Sequence, residues 1–186
     1  EVKKHVEYGV EILRGTKGIP DDVINIALTH HERYDGSGYP AGIVGNIIPV
    51  YGRMAGIIDV YDAMTSKRPY SDAISQHSAL QKIYNWRNKF FQDELVEQFM
   101  QCLGVYPTGS LVEMSTGEVG IVLSQNRTQR LKPKIMMLLN SDKTQYDNYK
   151  IVDMMTQATD ASGHVTNIAA GLDPGAYGID ATEFYL

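Results

Sequence analysis

The sequence predicts a mainly helical domain followed by a small antiparallel β appendage. Three observations predict it. Apolar residues recur at helical spacing over residues 1–105, short apolar runs replace that period beyond Pro107, and Ser115-Thr116-Gly117 separates two such runs as a hairpin turn would.

The elements follow in order. Val2, Val6, Val10 and Leu13 form a first helical stripe, which begins without a capping residue, as though the chain starts inside a helix. A second helix follows Pro20, carries Asp21 and Asp22 in its first turn and runs to about Arg33. A glycine-rich loop then extends to Pro49, after which a third helix reaches about Ser66. A fourth helix runs from Ser75, its cap, to about Asn88, and a fifth from Asp93 to Leu103, stopped by Gly104 and Pro107. Strands are expected at Leu111–Met114, Glu118–Ser124, Lys134–Leu139 and Tyr149–Met155. This gives a helical domain over 1–105, a β appendage over 106–155 and a tail over 156–186. The tail is rich in Gly, Ala, Asp and Thr, and reads equally as docked loop or disordered chain.

Composition narrows the function. An apolar share of 43% with 21% charged residues is that of a globular protein with an ordinary core. The 22 acidic residues outnumber 17 basic ones, for a net charge of −5, which argues against binding polymeric nucleic acid. No apolar run approaches the ~18 residues of a membrane span, and the first residues carry no hydrophobic signal core. The single cysteine, Cys102, excludes an internal disulfide and fits a cytoplasmic location.

The informative residues are polar ones on apolar faces. His5 and Gly9 share the stripe of the first helix, with Gly9 expected to admit a close neighbour. His30 and His31 continue the stripe of Val23, Ile24, Ala27 and Leu28. The third helix has one stripe of Met54, Ile57, Ile58, Tyr61 and Thr65. A second, of Gly52, Ala55, Gly56, Asp59, Asp62, Ala63 and Ser66, looks like a packing surface with two carboxylates set into it. A cation held by His nitrogens and Asp oxygens would neutralise such groups. The plainer alternatives are a satisfied His5, a His30-His31 pair placed for the helix dipole, and Asp59 and Asp62 paired with Arg53, Lys67 or Arg68. Together the placements favour a cation over these separate explanations.

The run His30-His31-Glu32-Arg33-Tyr34-Asp35-Gly36-Ser37-Gly38-Tyr39-Pro40 resembles the signature of the HD-GYP family, a branch of the HD metal-dependent phosphohydrolases. The segment from Asp59 to Tyr70 resembles that family's second signature, and His5 with Gly9 resembles its intervening histidine. The resemblance implies a partial HD-type helical bundle with two or three divalent ions, iron or manganese, that hydrolyses cyclic di-GMP to linear pGpG or GMP. It implies His5, His30, His31 and Asp59 as metal ligands, and Tyr39, Gly38 and Arg68 as residues lining the substrate. Glu32, Asp35, Asp62 and Pro40 are supporting residues, Glu32 either orienting an imidazole or pairing at the helix end. Gly36 and Gly38 are expected to permit positive φ and close backbone approach.

Two departures matter. Ser71 stands where the family often carries a basic residue, and the family's name-giving His-Asp pair would precede His5, so the chain reads as a partial one, inactive by itself. The β appendage resembles an extension found on a subset of the family. The competing reading is a non-catalytic scaffold whose glycine-rich loop docks other signalling proteins. Exposed apolar helix faces would also favour homo-oligomers.

Overall fold

A computed structural model describes residues 3–68, 71–126, 128–156 and 165–184. The chain forms two compact units, one of residues 1–63 and 82–99, the other of residues 64–81 and 100–186. They are not consecutive stretches: segment 64–81, which spans the end of one helix and the start of the next, groups with the strands.

In the first unit, α1 (Lys4–Gly15) buries Val6 and Val10, the centre of the predicted stripe. Val2 lies outside the described residues, and a Cβ built on Gly9 would meet nothing within 4 Å, so the close neighbour expected there is not found. Helix α2 (Asp21–Thr29) ends a full turn before the expected Arg33. The physical reason is a set of competing local bonds. Glu32 N donates to Thr29 O at 3.0 Å, and the Arg33 guanidinium caps the freed carbonyls of His30 and Glu32 at 3.2 and 2.9 Å. His30 is therefore the C-cap, and His31 follows the helix instead of riding on it.

Helix α3 (Val50–Thr65) bears out its small-residue stripe. A Cβ on Gly52 would fall 2.0 Å from Thr29 Oγ1, and one on Gly56 would fall 2.9 Å from His30 O, so only glycine lets α3 lie against the end of α2. Its other stripe is less buried than expected: Ile57 is enclosed, whereas Met54 and Ile58 are 42% and 52% exposed. Helix α4 (Gln76–Asn85) is capped as predicted, Ser75 Oγ accepting from Ser78 N at 3.2 Å. It stops short of Asn88 because Asn88 itself is left-handed, φ +61°. Helix α5 (Asp93–Leu103) has the expected bounds and closes on Gly104, φ +78°.

The second unit is built on an antiparallel sheet of β1 (Leu111–Met114), β2 (Val119–Ser124), β3 (Lys134–Leu139), β4 (Gln145–Asp153) and β5 (Ile168–Leu172) in the order β4-β3-β2-β1-β5. The central strands are covered on both faces, so they read as continuous apolar runs and not as alternations. Val112, Met114, Val122, Ile135, Met137 and Met154 fill one face; Leu111, Val119, Ile121, Leu138 and Leu139 fill the other. Each such side chain contributes about 1.5–3 kcal/mol on burial.

Two sequence expectations change here. Strand β4 starts at Gln145, four residues before Tyr149, because Asn140 Oδ1 accepts from Asp142 N and Thr144 N and folds a tight turn around Lys143, φ +64°. The tail is neither loose nor disordered over residues 165–184: β5 pairs with β1, and Leu172, Ile179, Ala181 and Phe184 cover the second face. Among the described residues no helix is long and apolar enough to cross a membrane.

Candidate metal centre

Three imidazoles converge in the first unit. His31 Nε2 lies 3.0 Å from His5 Nε2, which lies 3.5 Å from His30 Nε2. Among the described residues, His5, His30 and His31 are the group of potential ligand atoms lying within 4.8 Å of one another. One comes from the first turns of α1, the others from the C-cap of α2 and the residue after it. The early end of α2 is what turns His30 and His31 toward α1.

Tautomer and charge favour ligation. His30 Nδ1 is 2.9 Å from Ala27 O, so it carries the proton that the carbonyl accepts, and Nε2 keeps its lone pair toward the cluster. Burial, then the neighbouring charge of His30, lowers the His31 pKa from 6.5 to about 4, despite the opposing pull of Asp59. His31 is thus neutral at physiological pH. Two nitrogens held at about 2.1 Å from one cation stand roughly 3.0–3.4 Å apart for octahedral or tetrahedral angles. The observed separations of 3.0 and 3.5 Å match that range closely.

Asp59 stands differently. Its Oδ2 lies 3.5 Å from His31 Nδ1, the ring nitrogen facing away from the three-nitrogen cluster. It is not locked to Arg53, which instead donates to Asn46 Oδ1 and Gln92 Oε1. Asp62 is exposed, and Arg68 belongs to the second unit, where its backbone makes a two-bond bridge with Ser71.

The glycine-rich loop folds back over the two histidines. Asp35 Oδ1 accepts from Ser37 N and Oγ at 3.0 and 2.6 Å; the hydroxyl bond holds its carboxyl below the usual range. Gly36 has φ +81°, as expected, but Gly38 is not left-handed. Gly38 is required for a different reason: a Cβ there would lie 2.4–2.5 Å from Arg33 N, Glu32 Cα and His31 O. The approach it permits is to the chain's own backbone. The Tyr39 ring stacks on His31, centroids 4.7 Å apart at 28°, and the Tyr39–Pro40 bond is cis. Glu32 fulfils neither role expected of it. It is buried, and its Oε1 accepts from Ala41 N and Gly42 N at 2.8 and 3.2 Å.

Two residues at the site escaped the sequence reading. Arg33 caps α2 and lies over the Phe91 ring at 5.6 Å, and Lys3 Nζ sits 4.7 Å from the centre of the Tyr39 ring. Only the adjacency of Arg33 to the histidine pair signalled it; nothing in the sequence singled out Lys3.

Comparison with known proteins decides the relationship. A model of the HD domain matches residues 1–94. The chain belongs to the HD domain family. Its HD-GYP signature runs through the cluster just described, and a model of a KOW domain associated with HD domains matches residues 111–160, over the sheet. A cyclic di-GMP phosphodiesterase of Pseudomonas aeruginosa is 32% identical over 153 residues, covering 82% of this chain and 37% of that protein. A cyclic di-GMP phosphodiesterase response regulator of Xanthomonas campestris is 40% identical over 117 residues, 59% of this chain and 31% of its own. A 3′3′-cGAMP-specific phosphodiesterase of Vibrio cholerae is 41% identical over 101 residues, 54% and 19% of the two chains. The HD-GYP chain thus spans well under half the length of these relatives.

Proposed function

We propose that this chain is part of a metal-dependent phosphodiesterase that hydrolyses cyclic di-GMP to linear pGpG or GMP. The observation that carries the reading is the convergence of three imidazoles, His5 Nε2 lying 3.0 Å from His31 Nε2 and 3.5 Å from His30 Nε2, beneath the loop that bears the HD-GYP signature. Relatives named for cyclic di-GMP and for cGAMP support a cyclic dinucleotide as the substrate class.

In this reading His5, His30 and His31 hold one divalent ion through Nε2, and Asp59, on the Nδ1 side of His31, is a carboxylate ligand for a second; iron or manganese suits such a His and oxygen donor set. The bound ions would lower the pKa of a water and offset charge on phosphoryl oxygens. The chain's own residues do the positioning. Ala27 O fixes the His30 tautomer, and burial keeps His31 neutral. Asp59 beside His31 supplies negative charge that a cation requires. Gly38 lets the loop cross the histidines, and Tyr39 screens one face of His31 from water.

The test is turnover of cyclic di-GMP by the whole protein loaded with manganese or ferrous iron. Activity that falls at least about 100-fold in His30→Ala is expected. A folded, metal-loaded protein that turns over no cyclic dinucleotide contradicts the reading and favours the docking scaffold. Self-association of the isolated chain belongs to the same account. Tyr8 and Ile12 on α1, and Tyr51, Met54 and Ile58 on α3, leave apolar faces 42–69% exposed. Light scattering should therefore detect dimers or larger species.

A further inference from the structure

We propose that Glu32 is a positioning residue: by clamping the far end of the glycine-rich loop it holds the Tyr39 ring against His31. The inference rests on His31 as a metal ligand but adds a residue that neither touches the ion nor lines the cluster.

Glu32 is 5% exposed, and the hydrogen bonds of its Oε1 reach nine and ten residues along the chain, to the amides of Ala41 and Gly42. Its Oε2 is buried and has no hydrogen-bond partner among the described residues. Burying a carboxylate with one oxygen unsatisfied is costly, and the two amide bonds to its other oxygen offset part of that cost. What they fix is the loop. From Glu32 the chain turns at Gly36, returns at Gly38 across the backbone of His31, Glu32 and Arg33, and donates from Tyr39 N to His31 O at 3.2 Å. That bond and the Glu32 clamp close the loop on either side of the Tyr39 ring, which lies stacked on the His31 imidazole. Neither ring nitrogen contact of the histidine pair involves Glu32: His30 Nδ1 faces Ala27 O and His31 Nδ1 faces Asp59. Glu32 therefore acts on His31 through Tyr39, whose ring packs on the face of the imidazole.

The effect can be read without any reaction. Tyr39 stacked at 4.7 Å imposes a ring-current shift on the His31 ring protons, visible by NMR in this chain and identified as the shift lost in Tyr39→Leu. Glu32→Ala should move the His31 resonances to their position in Tyr39→Leu, and the double variant should add no further change. Glu32→Gln keeps the Oε1 acceptor and should leave them in place; Glu32→Asp, one methylene shorter, should move them part of the way. As a second readout, Mn²⁺ affinity should fall about 10–100-fold in Glu32→Ala and stay near the original in Glu32→Gln. His31 resonances unmoved in Glu32→Ala would overturn the proposal. If that variant does not fold, identical His31 positions in Glu32→Gln and Glu32→Asp would overturn it equally. Should the unaltered chain take up no Mn²⁺, the metal reading fails while the NMR comparison still decides the clamp.

Discussion

The histidine cluster and the five-stranded sheet are assembled by contacts of different range. At the cluster, His30, His31, Glu32, Gly38, Tyr39 and Gly42 lie within thirteen positions of one another and touch through local bonds, while Lys3, His5, Phe91 and α3 come from farther away. In the sheet, the deciding partners lie far apart: β1 pairs with β5 more than fifty residues on, and Asn167 donates to Ser115 Oγ. The cluster is specified by identity at each position, whereas the sheet is specified by volume and pattern. Polar residues in the first have one acceptable geometry; apolar residues in the second have many acceptable substitutes.

The variants that sharpen this contrast differ in size. Ile121→Ala, in a fully buried strand position, should cost about 4 kcal/mol by cavity formation, read as a drop in the thermal or urea midpoint. Ile121→Val should recover most of it. Gly38→Ala should cost about 3 kcal/mol, because three backbone atoms cannot move away from the new methyl. Here no residue substitutes for glycine, so serine should be no better than alanine. A Gly38→Ala protein as stable as the original would break the distinction between identity and pattern.

A smaller effect is expected from acid. His31 is held neutral in the fold, with its pKa lowered from 6.5 to about 4 by burial and then by His30. Between those values the unfolded chain binds the extra proton and the folded one does not, so stability rises with pH across that window. It should be complete above about pH 6.5 and diminish as pH falls toward 4, by about 1 kcal/mol once partial exposure is discounted. Urea midpoints at pH 7.5 and 4.5 check this, and His31→Gln should flatten the difference. The smallest change is predicted for Lys134→Ala, whose partner Asp153 lies 3.5 Å away on the surface of the sheet: within about 0.5 kcal/mol, and less at high salt.

The same contrast explains what could be read from the chain alone. The bounds of α5 and of β1 and β3 were legible because glycines, a cap and apolar runs mark them. The cluster of His5, His30 and His31 was legible because all three continue the apolar stripes of successive helices. Strand β5 was not: Ile168-Ala169-Ala170-Gly171-Leu172 carries small residues of weak strand preference, chosen for fit. A Cβ at Gly171 would meet His77 Cβ at 2.9 Å, a contact no local pattern announces. The end of α2 was misplaced because Arg33 and Thr29 compete for carbonyls that a periodicity count assigns to the helix. The partners of Glu32 were not legible because Ala41 and Gly42 contribute backbone amides, which leave no trace in residue identity.

The account stands on three imidazole nitrogens sharing one cation. Titration of the chain with Mn²⁺ or Zn²⁺, followed by X-ray absorption at the metal edge, measures that directly. It should show saturable binding with histidine nitrogen in the ligand shell, lost when His5, His30 or His31 is changed singly to alanine. Binding that survives all three substitutions, or a shell without histidine, would contradict it.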